Sequence, residues 1–264
     1  MAFTRKVLWI VKMNTAAAED AFAAHADAAG IDTVCIRTSS TRLPGAIDRF
    51  HQLGKTVWAW RWPGVVDADG YGPHYFAPDE ADFVANKLIP AGLDGYIVDP
   101  ESDGPGVNDW NQKKVAPLAK AFCATIKLKA QGKKFLFGTT SGCAYPSPGG
   151  KPDIPWSEFF PPSDALYPQC YWRMTVRDKK LKKDVPKDIN GGTPTKAIAR
   201  GMGAWKPASM GKPIIPMAGE IDLVTDAEIK EYGQQLQKLK INEAHFYADI
   251  PAVKPKVLAA IKAL

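Results

Sequence analysis

Eight short apolar runs alternate with eight helical or turn segments along this chain, and that alternation constrains the fold more than any other feature. The runs fall at residues 6–13, 33–38, 56–62, 96–98, 134–139, 165–171, 213–218 and 243–248. They are rich in Val, Ile, Trp and Tyr, which suit a pleated and buried surface. The segments between them carry helical punctuation. Residues 16–29 are alanine-rich and stop at Gly30, residues 42–53 stop at Gly54, and residues 109–131 stop at Gly132. Pro78, Asp79 and Glu80 open a helix to about residue 88, with proline and acids in its first turn. Thr225 and Glu228 have capping-box spacing ahead of a helix to residue 240. Residues 156–160, 195–205 and 255–264 complete the set.

Strand–helix alternation predicts a parallel sheet, and eight such units in 264 residues match a single (β/α)8 TIM barrel of the α/β class. No linker or shift in composition interrupts the count, so one domain over residues 1–264 is expected. The alternative, an open doubly wound sheet, lacks its Gly-rich phosphate loop after the first strand.

Composition narrows the function. The chain is 45% apolar with 8 Trp and 11 Phe, enough for a sizeable core. Its net charge of +6 favours anionic partners, but the charge is dispersed and no arginine-rich helix appears, which argues against nucleic acid. Cys35, Cys123, Cys143 and Cys170 have neither CxxC nor metal-ligand spacing, so free thiols in a reducing compartment are expected. The four histidines, His25, His51, His74 and His245, lack a ligand partner at i+2 or i+4 and read as structural or surface groups. No metal or cofactor is expected. The apolar run at 7–11 is too short for a signal peptide or a membrane span. The expectation is a soluble monomer made in the cytoplasm, reaching a cell wall only by another route.

In a barrel of this kind the active site lies at the C-terminal ends of the strands. The fourth strand ends in Asp99 and Glu101, after Asp94-Gly95, which reads as a turn. Positions i and i+2 on a strand project to the same side. Two carboxylates so close cannot both ionise cheaply, so one is expected to hold a proton near neutral pH, as a general acid must. The bland reading of the same residues is an acidic turn capping the next helix. Around this pair the other strand ends supply Lys12, Arg37, Trp60, Arg61, Gln169, Tyr171, Trp172, Glu220 and Asp249 as a substrate-binding set. Aromatic faces stack on sugar rings while carboxylates and amides hold hydroxyls. Trp60 is either a sugar platform or core packing. Arg37 and Arg61 either meet substrate or neutralise the acids, and Lys12 could pair with Asp249 or Asp99. Glu220 and Asp249 are candidates for a second catalytic carboxylate. The loop 64–77 is long enough for a cleft wall; its Asp67-Ala-Asp69-Gly70 reads as an Asx-type turn rather than a calcium loop. The basic run 177–183 reads as a solvated loop able to attract an anionic polymer.

The segment Asp94, Gly95, Asp99 and Glu101 resembles the DGxDxDxE signature of glycoside hydrolase family 18, the chitinases, with Ile97 in place of the middle aspartate. The strand-end D-x-E is also similar to family 25, the lysozyme-type muramidases. Lys12 and Asn14 stand where that family has a first-strand aspartate, and the third-strand motif of family 18 is missing. The resemblance implies that Glu101 protonates the glycosidic oxygen. It implies that Asp99 orients the N-acetyl group as it attacks the anomeric carbon, and that Tyr171 helps hold that group. The implied substrate is an N-acetylhexosamine polymer, peptidoglycan ahead of chitin. A non-catalytic carbohydrate-binding barrel is the main rival. A barrel enzyme using Lys12, Arg37 and Arg61 on a phosphorylated substrate ranks last, for want of a Gly-rich phosphate site.

Overall fold

The computed structural model describes residues 3–102, 106–178, 180–248 and 252–264. The strands are β1 (Arg5–Ile10), β2 (Thr33–Arg37), β3 (Thr56–Arg61), β4 (Gly95–Val98), β5 (Leu136–Gly142) and β6 (Ala165–Gln169). They continue as β7 (Arg173–Asp178), β8 (Lys183–Asp188), β9 (Met217–Glu220) and β10 (Glu243–Ala248). All but β7 and β8 join one parallel sheet in the order β6-β5-β4-β3-β2-β1-β10-β9. The sheet closes on itself where Leu166 bridges Ile214. There Leu166 N donates to Pro213 O at 2.9 Å, and Ile215 N donates to Leu166 O at 2.8 Å. The result is the expected TIM barrel.

The helices are α1 (Ala16–Ala28), α2 (Leu43–Gln52), α3 (Ala77–Phe83), α4 (Ala116–Ala130), α5 (Trp156–Phe159), α6 (Pro194–Trp205), α7 (Asp226–Lys238) and α8 (Pro255–Lys262). Their starts follow the sequence signals. Thr225 and Glu228 complete both halves of the capping box on α7, and Pro78 sits in the first turn of α3.

Strand alternation sorts the core into two layers. Val7, Trp9, Val11, Cys35, Trp58, Trp60, Ile97 and Tyr167 fill the barrel interior. Leu8, Ile10, Val34, Val57, Ala59, Tyr96 and Val98 face outward, against helix residues such as Phe22, Phe50, Phe122 and Leu236. Large aromatics fit inside because glycines stand opposite them. A Cβ on Gly95 would meet Trp58 Cδ1 at 2.7 Å, and one on Gly138 would meet the Tyr167 ring at 2.5 Å. No helix among the described residues is long and apolar enough to cross a membrane.

Four local expectations are corrected. Asp94-Gly95 is not a turn: Gly95 begins β4, and the Asp94 carboxylate accepts from Val57 N at 2.8 Å at the base of β3. The run 177–183 is exposed at residues 180–183, as a solvated segment should be, but its ends belong to strands, Arg177 and Asp178 to β7 and Lys183 to β8, which pair antiparallel. The fourth helix starts later than residue 109, at Lys113–Val115 and then α4, because Asp109 is occupied in accepting from Ser102 Oγ at 2.6 Å. The seventh barrel strand is split, bridging at Ile214 and resuming at Met217, since Pro213 and Pro216 cannot donate to a ladder.

Candidate active site

The mouth of the barrel opens into a cavity of about 490 Å3. Trp9, Trp60, Trp62, Tyr71, Asp99, Glu101, Asn108, Tyr145, Gln169, Tyr171, Met174, Glu220 and Tyr247 line it. No lysine, arginine or histidine is among these described lining residues.

The segment carrying the two acids is held through its main chain. Asp99 N donates to Arg61 O at 2.8 Å, the carbonyl of Pro100 accepts from Ser141 Oγ at 2.6 Å, and the carbonyl of Glu101 accepts from Trp110 N at 3.0 Å. Trp110 is itself fixed by donating Nε1 to Pro63 O at 2.7 Å. With the backbone fixed, Asp99 is buried and Glu101 half-buried. Both reach the same amide: Gln169 Nε2 donates to Asp99 Oδ1 at 3.1 Å, to Asp99 Oδ2 at 3.0 Å and to Glu101 Oε1 at 3.2 Å. Asp99 and Glu101 therefore point to one side, as their spacing predicts. Gln169 donates to both, so one amide fixes the two carboxyl groups relative to each other.

Tyr171 lies one alternation beyond Gln169. Burial first, then Tyr247 and the acids Asp99, Glu101 and Glu220, push its phenol well above the ordinary range. It therefore stays protonated and keeps a hydrogen to donate. Glu220, at the end of β9, accepts from Thr175 N at 3.0 Å and from Thr175 Oγ1 at 2.6 Å. That carboxylate ties the β7–β8 hairpin to the barrel, and Met174 of the hairpin forms part of the cleft wall.

The aromatic floor is supported from beneath. Trp9 Nε1 donates to His245 Nδ1 at 2.8 Å, so the ring proton lies on Nε2, which faces Glu243 Oε1 at 2.7 Å. Burial pulls the His245 pKa down against the opposing pull of Glu243, which favours the neutral ring that this pattern needs. Arg5 Nη1 closes the chain on Glu243 Oε2 at 2.9 Å, at the far end of the barrel. Trp60 is held separately, donating Nε1 to Ile10 O at 3.2 Å.

Of the residues expected at the site, Asp99, Glu101, Trp60, Gln169, Tyr171 and Glu220 are brought together on the cleft. Trp172 is not. It lies on the outward-facing alternation, fully buried, with its ring 5.9 Å from Tyr232 of α7. Arg61 is not either; it alternates with Trp60 and Trp62 and is buried beneath α3. Lys12 is exposed and Arg37 half-buried, and neither lines the cavity. Asp249 lies outside the described residues.

Sequence reasoning left out Trp9 and Tyr247, which pair in register across β1 and β10. Their inward alternation was a usable signal. Asn108, Tyr145 and Met174 reach the cleft from loops or the hairpin, whose paths no local pattern encodes. Trp62 lines the cleft from the end of the third strand, and Tyr71 from the loop 64–77 that was expected to form a cleft wall.

Fold and site together define the class: a (β/α)8 barrel with an acid-bearing, aromatic-lined mouth. No protein-family model matches the sequence, and no curated protein matches it. Solved structures do share the fold. A GH18 chitinase from Pseudoalteromonas aurantia superposes with a TM-score of 0.61 at 12% identity, covering 98% of each chain. The Bacillus cereus spore cortex-lytic enzyme SleL gives 0.67 at 9% identity, over 97% of this chain and 73% of its own. A class V chitinase from Pseudomonas fluorescens gives 0.65 at 8% identity, over 98% and 99%.

Proposed function

We propose that the protein is a glycoside hydrolase acting on an N-acetylhexosamine polymer, peptidoglycan ahead of chitin. The observation that carries this reading is the bridging of Asp99 and Glu101 by the Gln169 amide at the floor of an aromatic cleft. In this reading the protonated Glu101 donates to the glycosidic oxygen as its bond to the anomeric carbon breaks. The acetamido oxygen of the same sugar forms the new bond to that carbon, in the substrate-assisted manner. Asp99, held by Gln169, orients the acetamido N–H, and the Tyr171 phenol donates to the acetamido oxygen. Water then opens the cyclised intermediate, giving a proton to the Glu101 carboxylate and restoring the acid. The aromatic residues at the mouth supply stacking faces for the ring at the reaction centre. The net charge of +6 supports the preference for the anionic wall polymer, as does the fold shared with a cortex-lytic enzyme.

The substitution Glu101→Gln tests this. Release of muropeptides or chitin oligomers, followed by mass spectrometry, is expected to fall by about 10²–10⁴-fold with an unchanged melting temperature. Wild-type-like lysis in the variant would remove Glu101 from the mechanism. A second reading, a non-catalytic glycan-binding barrel, is favoured by Ile97. This residue is fully buried in the barrel interior, at the position where the chitinase signature carries a further acid. Oligosaccharide binding without any cleavage by the wild type would select it.

A further inference from the structure

Arg61 is 1% exposed, yet it carries a charge that makes no use of solvent. Burying an ion costs several kcal/mol unless its surroundings compensate, so a residue that only filled space here would be apolar. Its surroundings form a specific set. Nη2 donates to the carbonyl of Tyr71 at 2.9 Å. The guanidinium carbon lies 5.4 Å from the ring centroid of Trp62 and 5.6 Å from that of Tyr75. Glu80, fully buried in α3, lies close enough for the Arg61 charge to oppose the rise of its pKa, and it accepts from Tyr96 OH at 2.9 Å.

These contacts converge on the wall of the cleft. The loop leaving β3 is pinched at its base, where Gly64 N donates to Tyr75 O at 2.7 Å and Ala77 N to Gly64 O at 2.9 Å. Tyr75 stacks on Tyr71 with centroids 4.5 Å apart and planes 15° apart, and meets Trp62 edge-on at 5.1 Å. Trp62 and Tyr71 face the cavity, whereas Arg61 and the buried Tyr75 stand behind them. Beyond the pinch the tip turns through Gly70 and Gly72, both at positive φ, where the backbone is least restrained. The hydrogen bond from Arg61 lands between those two glycines, on Tyr71.

We propose that Arg61 is the positioning residue of this aromatic wall: one guanidinium holds Tyr71 through its carbonyl and Trp62 and Tyr75 through their faces, so that Trp62 and Tyr71 present a fixed stacking surface to the glycan. Arg61 touches no substrate. The proposal rests on the glycan-cleft reading for its consequence, but not for its structural content. Lysine cannot reproduce it, because a point charge does not span a carbonyl and two rings at once.

Two variants test it, Arg61→Lys and the charge-neutral pair Arg61→Met with Glu80→Gln, each with two readouts. Hydrogen exchange in the substrate-free protein is expected to quicken about tenfold across residues 64–76 and to stay unchanged in β1 and β10. On chitin oligomers or solubilised peptidoglycan, KM is expected to rise about tenfold while kcat falls by less. Unchanged exchange in either folded variant overturns the proposal. Quickened exchange with KM unmoved also overturns it, by showing that the ordered wall is not a binding surface. If the neutral pair does not fold, the lysine variant decides. If the wild type cleaves neither polymer, the catalytic reading fails on its own, while exchange and oligosaccharide affinity still decide the role of Arg61.

Discussion

Glu80 offers the sharpest quantitative test of the packing around β3. Its side chain is fully buried. Burial raises its pKa from 4.5 to about 7, against the opposing pull of Arg61 and the hydrogen bond from Tyr96. A carboxyl with a raised folded-state pKa binds its proton more tightly folded than unfolded. Its contribution to stability is therefore fully present below about pH 4.5 and is lost as the pH rises through about 7. At about 1.4 kcal/mol per pK unit, the loss is about 3 kcal/mol. The variant Glu80→Gln keeps an acceptor for Tyr96 and stays neutral at every pH. Urea unfolding followed by tryptophan fluorescence, from pH about 4.5 to about 8, is the assay. The two proteins should be close in stability at the acid end. The variant should pull ahead by about 3 kcal/mol at the alkaline end, because all other titrating groups cancel in the difference. Parallel curves across that window would refute the argument, and would mean that Glu80 stays ionised and fully compensated beside Arg61.

Two further substitutions probe the site and its support. Gln169→Leu removes the donor shared by Asp99 and Glu101. With charge-assisted bonds worth about 1.5–3 kcal/mol, kcat/KM should drop about 10–100-fold with little change in melting temperature; a loss under twofold would show that the carboxylates are held by other groups. Gly201→Ala on α6 sets two effects against each other. Helix propensity favours alanine by about 1 kcal/mol, but the new Cβ would sit 2.2 Å from the buried Cys170 Sγ. Overpacking of about 1–3 kcal/mol should win, so calorimetry should record a lower melting temperature, and a higher one would contradict the packing described for that helix.

What the sequence determined by itself was everything that local periodicity encodes. The eight runs predicted the barrel because a parallel strand buried on both faces is a short apolar stretch, and each crossover needs a helix with its own caps. The i, i+2 spacing also predicted that Asp99 and Glu101 share one side, and they do although β4 itself ends at Val98, because both reach the Gln169 amide. The errors arose where a residue's role depends on what lies opposite. Gln169 closes β6 and Trp172 follows three residues later, yet one faces two carboxylates and the other α7, and parity must be counted from an inward residue that only the closed barrel identifies. Glu220 does reach the cleft, as its strand-end position predicts, but its partner Thr175, 45 residues away in sequence, comes from a hairpin that no local pattern encodes. For Arg61 the strand-end position left substrate contact and neutralisation of acids both open, and alternation turns it behind the wall, toward a glutamate on α3. Only tertiary structure decides such cases, because closing the barrel brings distant strand ends within hydrogen-bond reach and a buried charge takes whatever partners that closure supplies.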